Sequence, residues 1–226
     1  MRDMDRQTNK ISVGGNVGGN VTAGNDNVVG QAPATDPAAT ANRDGYTPRF
    51  GFVVDIVGFG QREAEDKDDL QHRLDTMVGK VLTEVGVDPA DTESDVAGDS
   101  KVLFLPVGAD TSRVLPGLIS AGSELLRRDN RRYRDRMRLR MAFGTGLLGH
   151  GPLGFTGELI VDLHRMVDSD ALRGAVKANP DADLVLLITQ TLHDDVIRPG
   201  FLNREDFVQV AVTMKEFAAP AWLRVC

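Results

Sequence analysis

Two aspartates, Asp55 and Asp99, are the residues of this chain whose type and surroundings best suit metal chemistry. Asp55 interrupts an apolar, β-branched run, FVVDIVGF, which predicts a buried strand carrying a carboxylate. A buried carboxylate is costly unless something neutralises it. Divalent cations shared with Asp99 would do so, because hard oxygen ligands suit Mg²⁺ or Mn²⁺ and a metal pair can hold a triphosphate for in-line displacement. The spacing equally allows an aspartate that only caps a turn at the end of a strand.

The composition is that of a globular, water-soluble protein of 226 residues, with 41% hydrophobic and 26% charged residues. No apolar run approaches the roughly 18 residues that a membrane span needs, and the polar N-terminus lacks the apolar core of a signal peptide. The one cysteine, Cys226, excludes an internal disulfide framework. The net charge of −7 argues against a general nucleic-acid binder. We therefore expect a cytoplasmic protein with neither a membrane nor a nucleic acid as partner.

The chain divides by composition into a tail and one domain. Residues 12–31 repeat a Val-Gly-Gly-Asn theme before a Pro/Ala/Thr-rich stretch, which predicts a low-complexity, flexible tail over residues 1–45. A few short strands that pair with a partner are the alternative. Residues 46–226 are long enough for a single catalytic domain with a sizeable core.

Hydrophobic periodicity over residues 46–226 predicts alternating strands and helices. A hairpin with Gly98 and Asp99 at its tip follows the first helix, and the glycine-rich run over 144–151 indicates a loop after a strand. Strands that interleave with helices but include hairpins favour an α+β mixed sheet with helices on its faces. The predicted strands are 50–57, 95–99, 102–105, 139–144, 183–189, 208–214 and 221–225, and the predicted helices are one with apolar positions from 70 to 85, then 111–133 and 158–178.

Three motifs in this order resemble the class III nucleotidyl cyclases, the adenylyl and guanylyl cyclases. They are the strand with Asp55-Ile56-Val57-Gly58-Phe59, the hairpin with Gly98-Asp99, and Gly157 followed by a helix containing Arg165. The resemblance spans about residues 49–225. It implies the ferredoxin-like mixed sheet of the cyclase catalytic domain.

The resemblance also implies the chemistry. The ribose 3′-oxygen of a nucleoside triphosphate attacks the α-phosphorus and expels pyrophosphate, with two Mn²⁺ or Mg²⁺ ions per site. Arg165 corresponds to the arginine that stabilises the pentacoordinate phosphorus, a role suited to a permanently charged, two-pronged donor. A solvated helix arginine paired with Asp162 is the alternative for Arg165. The implied metal residues are Asp55, Ile56 and Asp99, and the implied triphosphate residues are Val57, Gly58, Phe59 and Lys215.

The family builds each site between two subunits, so the resemblance implies a homodimer. One subunit would supply the metal residues and the other the transition-state arginine. Symmetric pairing would create two equivalent sites, and a lone subunit would be inactive.

Departures from the purine cyclases concern the base and the ribose. Asp95 stands where adenylyl cyclases carry a lysine and guanylyl cyclases a glutamate, and Gly154 stands at the second base-reading position. The pattern is similar to the stand-alone bacterial pyrimidine cyclases of anti-phage (Pycsar-type) signalling, which make cyclic CMP or cyclic UMP for a downstream effector. UTP or CTP is therefore the expected substrate. Val161 replaces the asparagine that orients the ribose, and Glu158 and His164 on the same helix are candidates to replace it.

Two other functions stay open at this point. One is a purine cyclase with a divergent base pocket, and the other is a catalytically weak cyclase-like module that recruits a partner. A run of arginines over residues 127–140 is the only basic patch in the chain. It predicts a solvated helix end, since cations suit the negative pole of a helix and aromatic residues for stacking on nucleic acid are scarce. Arg138 or Arg140 could instead line the groove of the dimer.

Overall fold

The computed structural model describes residues 45–214 and 217–226. The predicted tail, residues 1–45, lies outside this range apart from Gly45, and so does Lys215. The predictions made for the tail and for Lys215 are therefore not addressed by the structure.

The strands form a mixed sheet in the order β2-β3-β1-β4-β6-β8-β7, with β5 added to the end of β4. β1 lies between β3 and β4, antiparallel to both, and β4 and β6 form a parallel pair. This arrangement places the strand that carries Asp55 near the centre of the sheet. The strands are β1 (Thr47–Ile56), β2 (Glu93–Ala97), β3 (Ser100–Phe104), β4 (Leu139–Gly151), β5 (Gly154–Thr156), β6 (Leu184–Thr189), β7 (Val208–Met214) and β8 (Phe217–Val225).

The helices cover both faces of the sheet and create two cores. They are α1 (Ala64–Glu84), α2 (Thr111–Arg132), α3 (Glu158–Val167) and α4 (Asp170–Ala178), with a short helical segment over residues 190–197 after β6. Phe52 and Val54 of β1 pack with α1 and α2, whereas Val53 packs with α3 and α4. Because side chains alternate along a strand, Asp55 lies on the same face as Val53. The metal-ligand candidate therefore belongs to the α3 and α4 side of the sheet.

The predicted α+β class and the hairpin with Gly98-Asp99 at its tip are confirmed, but the single helix over 158–178 is wrong. The chain forms two helices that break at Asp168 and Ser169. Ser169 is the N-cap of α4: its Oγ accepts the Leu172 N–H at 3.3 Å and donates to the Met166 carbonyl at 2.7 Å. A serine that satisfies backbone groups in this way favours a new helix start over continuation.

The prediction of a loop over residues 144–151 is also wrong, because β4 continues to Gly151. The glycines serve the packing of α3 on the strand. A Cβ on Gly144 or Gly146 would lie 3.2 Å from Leu159 of α3, which is tighter than ordinary contact. Small residues here let the helix approach the sheet closely.

Within the part of the chain that the structure describes, no helix combines the length and apolar character needed to cross a bilayer.

Candidate functional site

Asp55 lies at the end of the central strand and is buried, with 6% of its surface exposed. The preceding residues Val53 and Val54 are fully buried, so the strand that carries the carboxylate is held rigidly. In the sheet register Asp55 is paired with Ser100 of β3 and Arg140 of β4. The predicted buried carboxylate on a strand is thus present.

In the structure, the charged partner of this carboxylate is the guanidinium of Arg140. Arg140 Nε donates to Asp55 Oδ1 at 2.7 Å, and Arg140 Nη2 lies 3.4 Å from Asp168 Oδ1. Burial raises the pKa of Asp55; the hydrogen bond and charge of Arg140 oppose the rise, whereas the charges of Asp99 and Asp168 add to it. The fold therefore compensates a negative charge on Asp55 only in part.

Asp99 lies at the tip of the β2–β3 hairpin and is fixed to the end of β1. Its carbonyl accepts the Ile56 N–H at 3.1 Å, and Gly98 beside it takes the left-handed conformation that the turn needs, with φ 63°. Gln71 of α1 donates to the Gly98 carbonyl at 2.6 Å. Asp99 and Ile56 line a cavity of about 260 Å³ between this hairpin and α1. The structure brings Asp55, Ile56 and Asp99 together at one end of β1.

These donors fit a hard divalent cation in the way that Mg²⁺ and Mn²⁺ are usually held. Asp55 and Asp99 offer carboxylate oxygens close enough for the charge of one to raise the pKa of the other. Within residues 45–214 and 217–226, no group of three or more His, Cys, Asp or Glu side chains could hold a metal ion. Mg²⁺ is commonly bound by one or two carboxylates, with waters and substrate phosphates completing the shell. The site therefore suits cations that arrive with a triphosphate.

Backbone hydrogen bonds and a left-handed glycine fix the turn that follows β1. Gly58 has φ 72°, in the left-handed region, and caps a short 3-10 turn over Phe59–Gln61. The Val57 N–H donates to the Arg138 carbonyl at 2.9 Å. Since the Ile56 and Val57 amides are both used within the fold, a phosphate at this turn would meet the amides of Gly58 and Phe59.

Arg62 holds this turn in place, a role that sequence patterns did not reveal. Its Nη1 donates to the Val57 carbonyl at 3.0 Å and its Nε to Asp135 at 3.1 Å. Arg62 thereby connects the turn to the segment between α2 and β4. The signal in the sequence is only an arginine four residues after Gly58, which is too common to be informative.

Arg165 lies on α3, and its Nη1 contacts Asp162 Oδ1 at 3.3 Å. Burial raises the pKa of Asp162, and the hydrogen bond from Arg165 opposes that rise. Among the described residues, Arg165 lines neither the cavity beside Asp99 nor the cavity beside Asp95. Val161 on the same helix is exposed.

The two predicted base-reading positions meet at one cavity. Asp95 on the edge strand β2 lines a cavity of about 150 Å³, together with Leu153 and Phe155, the residues on either side of Gly154. Gly154, the first residue of β5 after the turn, has φ 106°, a conformation that favours glycine. His164 of α3 also lines this cavity. A carboxylate, an imidazole and an aromatic ring thus line this cavity.

Ser100 connects the two cavities and was missed in the sequence. It lines both the cavity beside Asp95 and the cavity beside Asp99. Its hydroxyl is buried and has no hydrogen-bond partner among the described residues. Buried hydroxyls are usually paired, so an unpaired one between two cavities is a feature of a binding site more than of a core. Its position next to Asp99 was the available signal.

The sequence matches no protein-family model and no curated protein. The fold is similar to solved cyclase structures. The guanylyl cyclase Cya2 aligns with a TM-score of 0.58 at 13% identity, over 80% of this chain and 91% of Cya2. The adenylate/guanylate cyclase/hydrolase from Silicibacter pomeroyi aligns with a TM-score of 0.57 at 12% identity, over 80% of this chain and 98% of that one.

A third similar structure is a dimeric guanylyl cyclase domain of the RhoGC fusion protein from Blastocladiella emersonii. It aligns with a TM-score of 0.52 at 12% identity, over 79% of this chain and 96% of that domain. The described domain therefore has the fold of adenylyl and guanylyl cyclase catalytic domains.

Proposed function

We propose that this chain is a metal-dependent nucleotidyl cyclase that converts a nucleoside triphosphate into the 3′,5′-cyclic monophosphate and pyrophosphate. The observation that carries the proposal is the meeting of Asp55, Ile56 and Asp99 at the end of β1, within a cyclase fold. Two carboxylates with few other ligands suit cations that also bind phosphates. The fold supports the reaction class by analogy, and the carboxylate pair supports the dependence on metal ions.

The residues of the chain have distinct tasks in this reaction. When bound, two divalent cations supply charge neutralisation for the triphosphate and lower the pKa of the ribose 3′-oxygen. Asp55 and Asp99 hold these cations, with Ile56 beside them. The amides of Gly58 and Phe59 face the phosphates, and Arg140, released from Asp55, can pair with a phosphate oxygen because guanidinium binds carboxylate and phosphate alike. Lys215 is a further triphosphate ligand in this proposal.

The arginine that stabilises the transition state comes from a second copy of the chain. Arg165 contacts Asp162 of its own helix and lines neither the cavity beside Asp95 nor the cavity beside Asp99, which supports a homodimer that completes each site. The Blastocladiella emersonii domain, which has a similar fold, forms a non-canonical dimer in one structure and is monomeric in another, so the fold allows pairing without requiring it. A two-fold dimer gives two equivalent sites, each with Asp55 from one protomer and Arg165 from its partner.

The cavity beside Asp95 supports a pyrimidine triphosphate, UTP or CTP, as substrate. Its volume of about 150 Å³ is below the roughly 300 Å³ at which sites for whole small molecules begin, so it suits a single ring. The Asp95 carboxylate could accept a hydrogen bond from the cytosine amino group or from the uracil N3–H. Either cyclic product would act as a second messenger for an effector in antiviral defence.

Incubation of the protein with Mn²⁺ and each of the four ribonucleoside triphosphates tests the reaction and the base. We expect a cyclic product from UTP or CTP, and we expect Asp55→Asn and Asp99→Asn to reduce its formation by at least about a hundredfold. Asp91→Asn, which changes an exposed aspartate outside the site, should retain the wild-type rate. A cyclic product from ATP or GTP alone would replace the pyrimidine proposal by the purine cyclase.

A catalytically weak module is the second candidate, and Val161 and the Arg165–Asp162 contact favour it. The absence of the ribose-orienting asparagine and an arginine held by its own helix both disfavour fast turnover. If none of the four triphosphates is cyclised while Asp55→Asn and Asp99→Asn keep the biological activity, this second function is the correct one.

A further inference from the structure

A third polar cavity lies between α1 and α2, and His72 lines both this cavity and the cavity beside Asp99. Its volume is about 380 Å³, within the range of about 300–1,000 Å³ typical of small-molecule sites. The floor is formed by Met77 and Leu125, and the ring of Tyr133 lies at one side. The cavity therefore offers both apolar contact and polar groups to a ligand.

The lining of this cavity is positively charged, although the chain as a whole carries a net charge of −7. Arg73, Lys80, Arg128 and Arg132 face two carboxylates, a formal excess of two positive charges. Three of these residues come from exposed positions on α1 and α2, so they can reorient around a ligand. The concentration of cations in one concave place favours an anion.

Both carboxylates of the cavity, Asp69 and Asp129, are paired with the buried Arg73. Arg73 contacts Asp129 at 3.0 Å through Nε and Asp69 at 3.2 Å through Nη1, and it packs over the Tyr133 ring at 4.2 Å. Burial lowers the pKa of Arg73, but the hydrogen bonds from the two aspartates outweigh this effect and raise it. Arg73 and its two partners thus form an ordered base for the cavity with one formal negative charge, so the positive excess comes from the other three cations.

Of the remaining cations, only Arg128 has a carboxylate partner within residues 45–214 and 217–226. Lys80 and Arg132 take part in no ion pair there, and Arg132 lies over Tyr133 at 5.4 Å. Arg128 shares the Glu124 carboxylate with Arg127, which is outside the cavity. Like charges held close together without counter-charges repel one another, and a bound polyanion would relieve that repulsion.

We propose that this cavity is a binding site for a compact phosphorylated metabolite that carries a chain of two or more phosphates. Guanidinium forks pair bidentately with phosphate oxygens, and a lysine adds a mobile point charge, a combination suited to several phosphate groups at once. The apolar floor and Tyr133 accommodate an organic part such as a nucleoside. The lining of this cavity includes neither Asp55 nor Asp99, and binding there does not depend on the proposed function.

Titration calorimetry in the presence of EDTA tests the site, because the chelator removes metal-mediated phosphate binding at Asp55 and Asp99. Tripolyphosphate and a nucleoside triphosphate are the two probes, and they separate recognition of the phosphates from recognition of the organic part. Lys80→Gln combined with Arg132→Gln should weaken the binding of both probes by about tenfold or more. Both positions are exposed, so the variant is expected to fold.

Arg127→Gln is the control, since it removes one positive charge from the helix that carries Arg132, at a position outside the cavity and next to the cavity-lining Arg128. It should leave both affinities within about twofold of wild type. Three results would overturn the proposal: no binding of either probe to the wild-type protein, an equal loss in Arg127→Gln, or binding of a single-stranded oligonucleotide in place of both small probes. Since the readout is binding, these outcomes are independent of whether cyclisation is observed.

Discussion

At the level of single residues, the pairing of Asp55 with Arg140 determines how a cation can reach the site. The contact occupies Oδ1 of a carboxylate that is nearly inaccessible to solvent. Removing one partner of such a pair leaves the other charge buried and uncompensated, which is more damaging than the pair is favourable. A metal ion bound by Asp55 would therefore compete with Arg140 for the same carboxylate.

We expect Arg140→Gln to lower the free energy of unfolding by about 1–3 kcal/mol in the absence of metal, because Asp55 loses its charged partner. Mn²⁺ should restore more stability to this variant than it adds to the wild type, since the competing cation has gone. Denaturant unfolding with and without Mn²⁺ measures both effects.

Arg198→Gln, which alters an exposed i,i+4 pair with Asp194, serves as the control and should change stability by less than about 0.5 kcal/mol. An Arg140→Gln protein that Mn²⁺ stabilises no more than it stabilises the wild type would show that metal and arginine do not share Asp55.

Part of this site could be predicted from the sequence, and the reason lies in how local each signal is. Asp55 within an apolar run and Gly98-Asp99 at a turn are local patterns. The buried strand position of Asp55 and the turn position of Gly98-Asp99 were therefore predicted correctly, whereas their role as metal ligands stays a prediction. The partnership with Arg140 depends on the register of β1 against β4, in which Asp55 faces Arg140 across the strands. Such non-local pairing leaves no trace in a single sequence, which is why a metal alone was expected to neutralise the carboxylate.

At the level of elements, the junction between β5 and α3 depends on one glycine. Gly157 has φ 118°, and a Cβ there would lie 2.5 Å from the Leu147 carbonyl oxygen. We expect Gly157→Ala to lower the free energy of unfolding by about 2–3 kcal/mol, from backbone strain and steric overlap together. The displaced start of α3 should also weaken the contribution of Arg165 to catalysis.

Gly174 provides the comparison, because it lies on the exposed side of α4 and a Cβ there would meet nothing within 4 Å. Gly174→Ala should stabilise the protein by about 0.5–1 kcal/mol through the higher helix propensity of alanine. Urea unfolding of the two variants beside the wild type tests the contrast; equal effects at both glycines would contradict it.

A second prediction for the elements concerns the edge strand β2. Arg49 of β1 contacts Glu93 at 2.6 Å, and His150 of β4 contacts the same carboxylate at 2.5 Å. Burial raises the pKa of Glu93, but the hydrogen bonds from Arg49 and His150 outweigh it and lower the pKa below its ordinary value. A carboxyl with a lowered pKa stabilises the folded state above its ordinary pKa, and that stabilisation is lost as the pH falls through the lowered value.

Glu93→Gln should therefore reduce the free energy of unfolding by about 0.5–1 kcal/mol at neutral pH, and the difference from wild type should shrink on acidification. Guanidinium unfolding at a series of pH values follows this change. Glu84→Gln, at an exposed position without an ion pair among the described residues, should show no such trend. A difference that stays constant down to the acid limb would exclude Glu93 as the titrating group.

The elements themselves were predicted where periodicity is strong and missed where packing overrides it. The helix α2 matches the predicted 111–133 closely because its apolar positions and its Asp110 cap are local features. The break at Ser169 was detectable in principle, since serine followed by an acidic residue is a helix start. The glycines of β4 resembled a loop because the reason for them, close contact with α3, is a tertiary one.

At the level of the whole molecule, the proposed sites require two copies of the chain, and mutant mixing tests this requirement. Asp55→Asn alone and Arg165→Ala alone should both be inactive. Mixed in equal amounts and allowed to exchange, they should recover about a quarter of the wild-type activity. This follows because half of the dimers are mixed and each mixed dimer has one intact site.

A mixture of Asp55→Asn with the double variant Asp55→Asn/Arg165→Ala provides the control, since no intact site can form in any of its dimers. Activity measured from cyclic product, beside the dimer fraction from sedimentation, distinguishes failure to exchange from failure to complement. Exchanged dimers that stay inactive would show that Asp55 and Arg165 act in the same protomer.

Asp168, at the break between α3 and α4, can couple the two sites of the proposed dimer. Asp168 accepts from Arg140 at 3.4 Å and from Arg173 at 2.8 Å, and it lies three residues after Arg165. In the proposed dimer, the Asp55 of a protomer belongs to one site and its Arg165 to the other. A ligand that draws Arg140 away from Asp55 thus changes the electrostatic surroundings of α3, and the Arg165 of that helix belongs to the opposite site. Because such coupling is reciprocal, we expect the two sites to bind substrate cooperatively, with a Hill coefficient different from one.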